Sequence, residues 1–98
     1  MRTTKKTILD YLAKNLENFQ IKYGVEKIGL FGSYARGEET NESDIDVYVH
    51  TAQKNLSAIT GLWSQLEVDL DKKIDLVTAH KHMRPGLKNA IENEVIYV

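Results

Sequence analysis

Two stretches decide the reading: Gly29-Leu30-Phe31-Gly32-Ser33-Tyr34-Ala35-Arg36-Gly37-Glu38 and Ser43-Asp44-Ile45-Asp46-Val47-Tyr48-Val49. The apolar run from Val25 to Phe31 is broken only by Glu26 and Lys27 and predicts a buried strand ending at Gly32. Ile45 to His50 predicts the next strand. Alternation along it turns Ile45, Val47 and Val49 into the core and sets Asp44 and Asp46 on the other face, about 6.6 Å apart along the chain. Between the strands lies a polar, glycine-containing segment, Gly32 to Asp44, with room for at most one helical turn. Its thirteen positions are too few for a helical crossover, so the two strands are expected to be antiparallel.

Outward from this pair, Ile8, Leu12, Leu16, Phe19 and Tyr23, with Leu9 beside them, recur at helical spacing. They predict a helix from about Thr4 to Tyr23, stopped near Gly24. Ile59, Leu62, Trp63, Leu66 and Leu70 predict a second helix over Leu56 to Asp71, with Trp63 on its apolar stripe and in the core. Ile74 to Val77 reads as a third strand. His80 to Gly86 is a loop, with Pro85 placed to open a short last helix containing Leu87, Ala90 and Ile91. Val95 to Val98 adds an edge strand or covers the core. The expected fold is α/β, a small mixed sheet flanked by helices on one face or both, forming a single domain over residues 1–98.

Composition narrows the function. The 98 residues carry 13 Lys and Arg against 14 Asp and Glu, a net charge of −1. Stable binding to nucleic acid draws on clustered basic residues and is not expected. The absence of cysteine excludes a disulfide framework and a thiolate zinc site. No apolar run approaches the ~20 residues of a membrane helix. The basic start, Met1 to Lys6, runs into an amphipathic pattern rather than a signal peptide. A cytoplasmic protein without membrane contact is expected.

Two aspartates on one strand face repel each other, and a divalent cation held by their oxygens would convert that repulsion into ligation. Taken alone, Asp-x-Asp reads first as a solvated face, and Gly32-Ser33 first as a tight turn. Together they suggest more: Gly32 lets backbone approach a ligand closely, and Ser33 adds a hydroxyl donor beside it. The spacing from Gly32 to Gly37 imitates half of a Walker A loop, but Glu38 and Glu39 stand where Lys and Ser/Thr are needed. An EF-hand is excluded because Tyr48 and His50 follow Asp46 where its oxygen ligands are needed. His50, His80 and His82 have no metal-ligand spacing. Tyr34 would stack on a base or lie over the sheet. Ser43 would cap the entry to the strand or touch a nucleotide, and Arg36 would reach a triphosphate or pair with a nearby carboxylate.

Gly32-Ser33, ten residues, then Asp44-Ile45-Asp46 resembles the signature of the DNA polymerase beta-like nucleotidyltransferase superfamily. The fuller text, Gly32 to Glu38 with Ser43 to Asp46, is similar to its minimal members, the MNT-domain proteins. The likeness runs over nearly the whole chain, including the leading helix and the ending Glu94-Val95-Ile96-Tyr97. It implies the minimal nucleotidyltransferase fold and transfer of a nucleoside monophosphate from a nucleoside triphosphate with Mg²⁺. It also implies a third carboxylate on a later strand, for which Asp75 in Lys73-Ile74-Asp75-Leu76-Val77 is the match. By this resemblance Asp44, Asp46 and Asp75 are the catalytic and metal-binding set. Asp44 and Asp46 ligate the metals, while Asp75 joins the metal that holds the attacking hydroxyl and is placed to accept its proton. Gly32, Ser33, Arg36 and Ser43 are the nucleotide-binding candidates.

Many MNT proteins act as antitoxins of HEPN-domain ribonuclease toxins, and some AMPylate a toxin tyrosine. The resemblance therefore implies ATP as substrate, Mg²⁺ as cofactor and a HEPN toxin as partner, and it leaves a homo-oligomer open. Two other readings compete: a small-molecule nucleotidyltransferase completed by a second subunit, and an antitoxin that acts by binding alone. The intact Asp44, Asp46 and Asp75 set weighs against the last.

Overall fold

The computed structural model describes residues 3–52 and 55–98. Helix α1 (Lys5–Tyr23) opens on a capping box. The Thr4 hydroxyl accepts from the Thr7 amide at 3.2 Å, and the Thr7 hydroxyl accepts from the Thr4 amide at 2.8 Å. Gly24 ends it in the left-handed region, φ 69°. Then follow β1 (Val25–Phe31), the one-turn α2 (Gly32–Arg36) and β2 (Ile45–Thr51). Next come α3 (Leu56–Leu70), β3 (Ile74–Thr78), α4 (Pro85–Glu94) and β4 (Ile96–Tyr97). Asn55 caps α3 and Pro85 opens α4.

The sheet runs β3-β2-β1-β4. Strand β1 is antiparallel to β2 and to β4, while β2 and β3 are parallel and joined through α3. The mixed sheet and the antiparallel first pair match the sequence reading, and the segment Val95 to Val98 supplies an edge strand. Alternation sorts the side chains. Ile28, Leu30, Ile45, Val47, Val49, Ile74 and Leu76 pack with Ile8, Leu12, Phe19, Leu62 and Leu66 in the main core. On the opposite face Tyr48, Met83 and Ile91 form a second cluster with Phe31, Val77 and Val95, under α4. Helices thus lie on both faces, but α4 covers only part of the second, which is the face of Asp46.

Two aromatic residues sit differently from expectation or settle an open choice. Tyr34 is 2% exposed and belongs to the main core, so its ring is not available to stack on a base. Trp63 is 36% exposed rather than buried in the core. Its indole N–H donates to the Ile74 carbonyl at 2.7 Å, and Glu67 accepts from the Ile74 amide at 3.1 Å. Because β3 is an edge strand, these two α3 side chains satisfy backbone groups that would otherwise invite another strand. Trp63→Phe should therefore lower stability by about 1 kcal/mol, the worth of one such bond. Urea denaturation measures it, and an unchanged unfolding midpoint would remove this role for the indole.

Asp69 accepts from the Tyr11 hydroxyl, tying α3 to α1. Burial and the neighbouring carboxylate push the Tyr11 phenol up. Asp69 is thereby spent on packing two helices. Asp71 ends α3 with φ 50°. Among the described residues no helix is long and apolar enough to cross a membrane.

Candidate active site

Strand β1 ends where β2 and β3 begin, so one edge of the sheet collects the singled-out residues. Phe31 pairs with Asp46 across the antiparallel ladder, and Asp46 pairs with Asp75 across the parallel one. Neighbouring strands lie about 4.8 Å apart, so Asp46 stands beside Asp75 on one face. Asp44 lies just before β2, near enough for its charge to act on Asp46. Asp75 is exposed and the Asp44 side chain is 44% exposed, with the Lys73 ammonium 4.0 Å away. Such an exposed pair contributes little to stability.

Asp46 is half-buried and accepts no hydrogen bond from the described residues. Burial first, then the charges of Asp75 and Asp44, push its carboxyl up to about 6; Arg36 opposes them and Glu94 adds to them. Among the described residues no three His, Asp or Glu side chains stand close enough to enclose an ion as they are. Mutual repulsion is the physical reason for carboxylates on one face to stand apart until a cation neutralises them. The donor set, hard carboxylate oxygens whose half-buried member accepts no bond among the described residues, fits Mg²⁺.

The turn above these carboxylates is set by Gly32, whose φ is +76°. A Cβ there would lie 2.0 Å from Asp46 Oδ2. Glycine is thus required twice, by the backbone conformation and by Asp46 itself. Ser33 follows on α2, half-buried, with its hydroxyl unengaged among the described residues. Gly37, φ 73°, closes this short helix. Ser43 belongs to the loop that leads into β2: its hydroxyl accepts from the Thr40 amide at 2.9 Å, closing a turn with the Ser43 amide to Thr40 carbonyl bond.

Arg36 pairs with acidic residues other than the aspartates close to it in sequence. Its Nη1 donates to Glu94 Oε2 at 2.9 Å, and Nε lies 3.5 Å from Glu38 Oε1. Hydrogen bonding to Glu94 holds the guanidinium above its ordinary pKa. The other oxygen, Glu94 Oε1, accepts from the Gly32 amide at 2.9 Å. Glu94 is the residue at this site that sequence reasoning did not single out. It lies 62 positions from Gly32, and only its place at the end of the last helix, before an apolar edge strand, marked it.

Comparison with known proteins identifies the family. Residues 11–98 match the polymerase beta nucleotidyltransferase domain family. A Methanocaldococcus jannaschii protein, provisionally named a protein adenylyltransferase, is 42% identical over 98 aligned residues. The match covers 97% of this chain and 98% of the relative. Among solved structures, a protein described as a minimal nucleotidyltransferase superposes with a TM-score of 0.81 at 26% identity. It covers 97% of this chain and 96% of its own. A toxin–antitoxin structure with AMP-PNP superposes with a TM-score of 0.68 at 26% identity, over 97% of this chain and 72% of that one. Sequence signature, mixed sheet and family match converge: the chain belongs to the polymerase beta nucleotidyltransferase family, with the build of its minimal members.

Proposed function

We propose that this nucleotidyltransferase moves AMP from ATP to a hydroxyl acceptor with Mg²⁺, and that the acceptor is a tyrosine of a HEPN ribonuclease toxin. The observation that carries the reading is Asp46: a half-buried carboxylate with no hydrogen-bond partner among the described residues, flanked by Asp44 and Asp75, and so close to Gly32 that a side chain there would collide with it. Repulsion of this kind is costly to the fold and is useful where a cation is to be held. Asp44, Asp46 and Asp75 would hold Mg²⁺, which when bound supplies charge neutralisation at the triphosphate and at the entering hydroxyl. Gly32 offers the close backbone approach and Ser33 a hydroxyl unengaged among the described residues for the phosphates, with Arg36 beside them and Ser43 fixing the loop into β2. The acceptor oxygen forms a bond to the α-phosphorus, the bond to pyrophosphate breaks, and Asp75, open to solvent, takes the acceptor's proton. The similar toxin–antitoxin structure, solved with an ATP analogue, supports both ATP and a protein partner.

ATP alone should turn over slowly, because water lacks the orientation that a docked hydroxyl gains, worth ~7–11 kcal/mol at most. Intact-mass measurement on a cognate HEPN toxin tests the reading. The expected result is added adenylate that requires Mg²⁺ and Asp46. Silencing of the toxin with no change of mass would favour an antitoxin that acts by contact. Efficient modification of a small hydroxylated compound without a partner would favour the small-molecule reading.

A further inference from the structure

Glu94 is the last residue of α4, and both of its carboxylate oxygens are committed to the turn that follows β1. Oε1 takes the Gly32 amide and Oε2 takes Arg36 Nη1, each at 2.9 Å. Its position is itself fixed. The Val95 amide bonds the Ile91 carbonyl, and Ile96 and Tyr97 pair with Leu30 and Gly29 on β1, the strand that delivers Gly32. We propose that Glu94 is a positioning residue for the nucleotide, one carboxylate that locks the Gly32 backbone over Asp46 and aims the Arg36 guanidinium beside it.

Burial and chemistry both favour this over a surface ion pair. The Glu94 side chain is 29% exposed and Arg36 is 45% exposed, so one partner is held by the fold while the other remains accessible. Glu94 and Glu38 engage at most two of the five N–H groups of the guanidinium. Among the described residues the rest have no acceptor and can take a phosphate, in a fork that a bound carboxylate has already oriented. Bonds to a charged acceptor are stronger than neutral ones, and a preoriented arginine loses less freedom when the triphosphate arrives. The same carboxylate restrains the Gly32 backbone, which as glycine has no side chain to hold it.

The inference rests on the proposed use of ATP, and its test separates the two. The probes are the Mg²⁺ complex of AMP-PNP, titrated by calorimetry, and hydrogen exchange at the Gly32 amide. Glu94→Ala should weaken AMP-PNP binding roughly tenfold and speed exchange at Gly32, while circular dichroism stays that of the native chain. Glu94→Gln keeps an acceptor for the Gly32 amide but cannot accept from Arg36 with its amide nitrogen. It should retain slow exchange at Gly32 yet lose most of the affinity. In an Arg36→Ala background, Glu94→Gln should have almost no further effect on binding, which a merely structural role would not produce. Equal or tighter AMP-PNP binding by Glu94→Ala would overturn the proposal and make the carboxylate a competitor of the phosphates. Additive losses in the double variant would also overturn it. If the native chain binds no AMP-PNP, the ATP reading fails. Unaltered Gly32 exchange in Glu94→Ala would then refute the clamp separately.

Discussion

Asp46→Asn should lower nucleotidyl transfer by roughly a thousandfold, the rate equivalent of ~4 kcal/mol, while making the chain more stable at neutral pH. The two effects share a cause. The Asp46 carboxyl is pushed up to about 6 from 3.8, by burial and by Asp75 and Asp44. Between those values the folded chain binds more protons here than the unfolded one, so stability falls as pH rises through that window. The contribution is fully present below pH 3.8 and lost above about 6. Asparagine carries no charge at any of these pH values and escapes the loss. After discounting for solvent screening at a half-exposed group, the gain at pH 7.5 is about 1 kcal/mol, or roughly 4–8 °C for a domain of this size. Thermal melts at pH 7.5 and at pH 3.5 check it: the gain belongs only to the first. Saturating Mg²⁺ should erase the difference by stabilising the native chain alone. Melting temperatures of variant and native chain that move together at both pH values and with Mg²⁺ would contradict the account.

Gly32→Ala carries the second large effect. The added Cβ meets Asp46 Oδ2 at 2.0 Å, and the backbone sits at φ +76°. Left-handed strain costs about 1 kcal/mol or more for a residue with a side chain, and overpacking adds about 1–3 kcal/mol. We expect a loss of roughly 2–4 kcal/mol, with ATP binding lost as the turn and Asp46 are forced apart. Chemical denaturation of a double-mutant cycle with Asp46→Ala separates the parts. Shortening Asp46 should recover the steric share and leave only the backbone strain. Equal costs of Gly32→Ala in both backgrounds would show that Asp46 is not what excludes a side chain there.

Elements built on periodicity were legible in the sequence. The stripe from Ile8 to Tyr23 and the alternation from Ile45 to Val49 each report one buried face, and their bounds fell within a residue or so of the expected ones. The antiparallel pairing of β1 and β2 follows from the short connection between them, Gly32 to Asp44. The Asp44 and Asp46 pair and the glycine above it were legible because strand period and local spacing place them. Asp75 was reached through family resemblance, since nothing in its own neighbourhood says that β3 lies beside β2 in that register. Trp63 was misplaced because an apolar stripe does not record where an edge strand needs a hydrogen-bond donor. Gly32 reads in the sequence as a point of close approach to a ligand, and its nearest obstacle in the fold is Asp46 of the same chain. Glu94 was out of reach for the same reason as Asp75: its partners Gly32 and Arg36 are distant in sequence, and only the closed sheet brings them to it.

The most direct test of the central claim is the fate of the phosphorus atoms of ATP. The chain, Mg²⁺ and a HEPN toxin are incubated with ATP labelled either at the α- or at the γ-phosphate, and the label on the toxin is counted. The account predicts that α-label accumulates on a toxin tyrosine with release of labelled pyrophosphate from γ-labelled ATP, and that both signals vanish in Asp46→Asn. Transfer of the γ-label to the toxin, or α-label transfer that survives in Asp46→Asn, would contradict it.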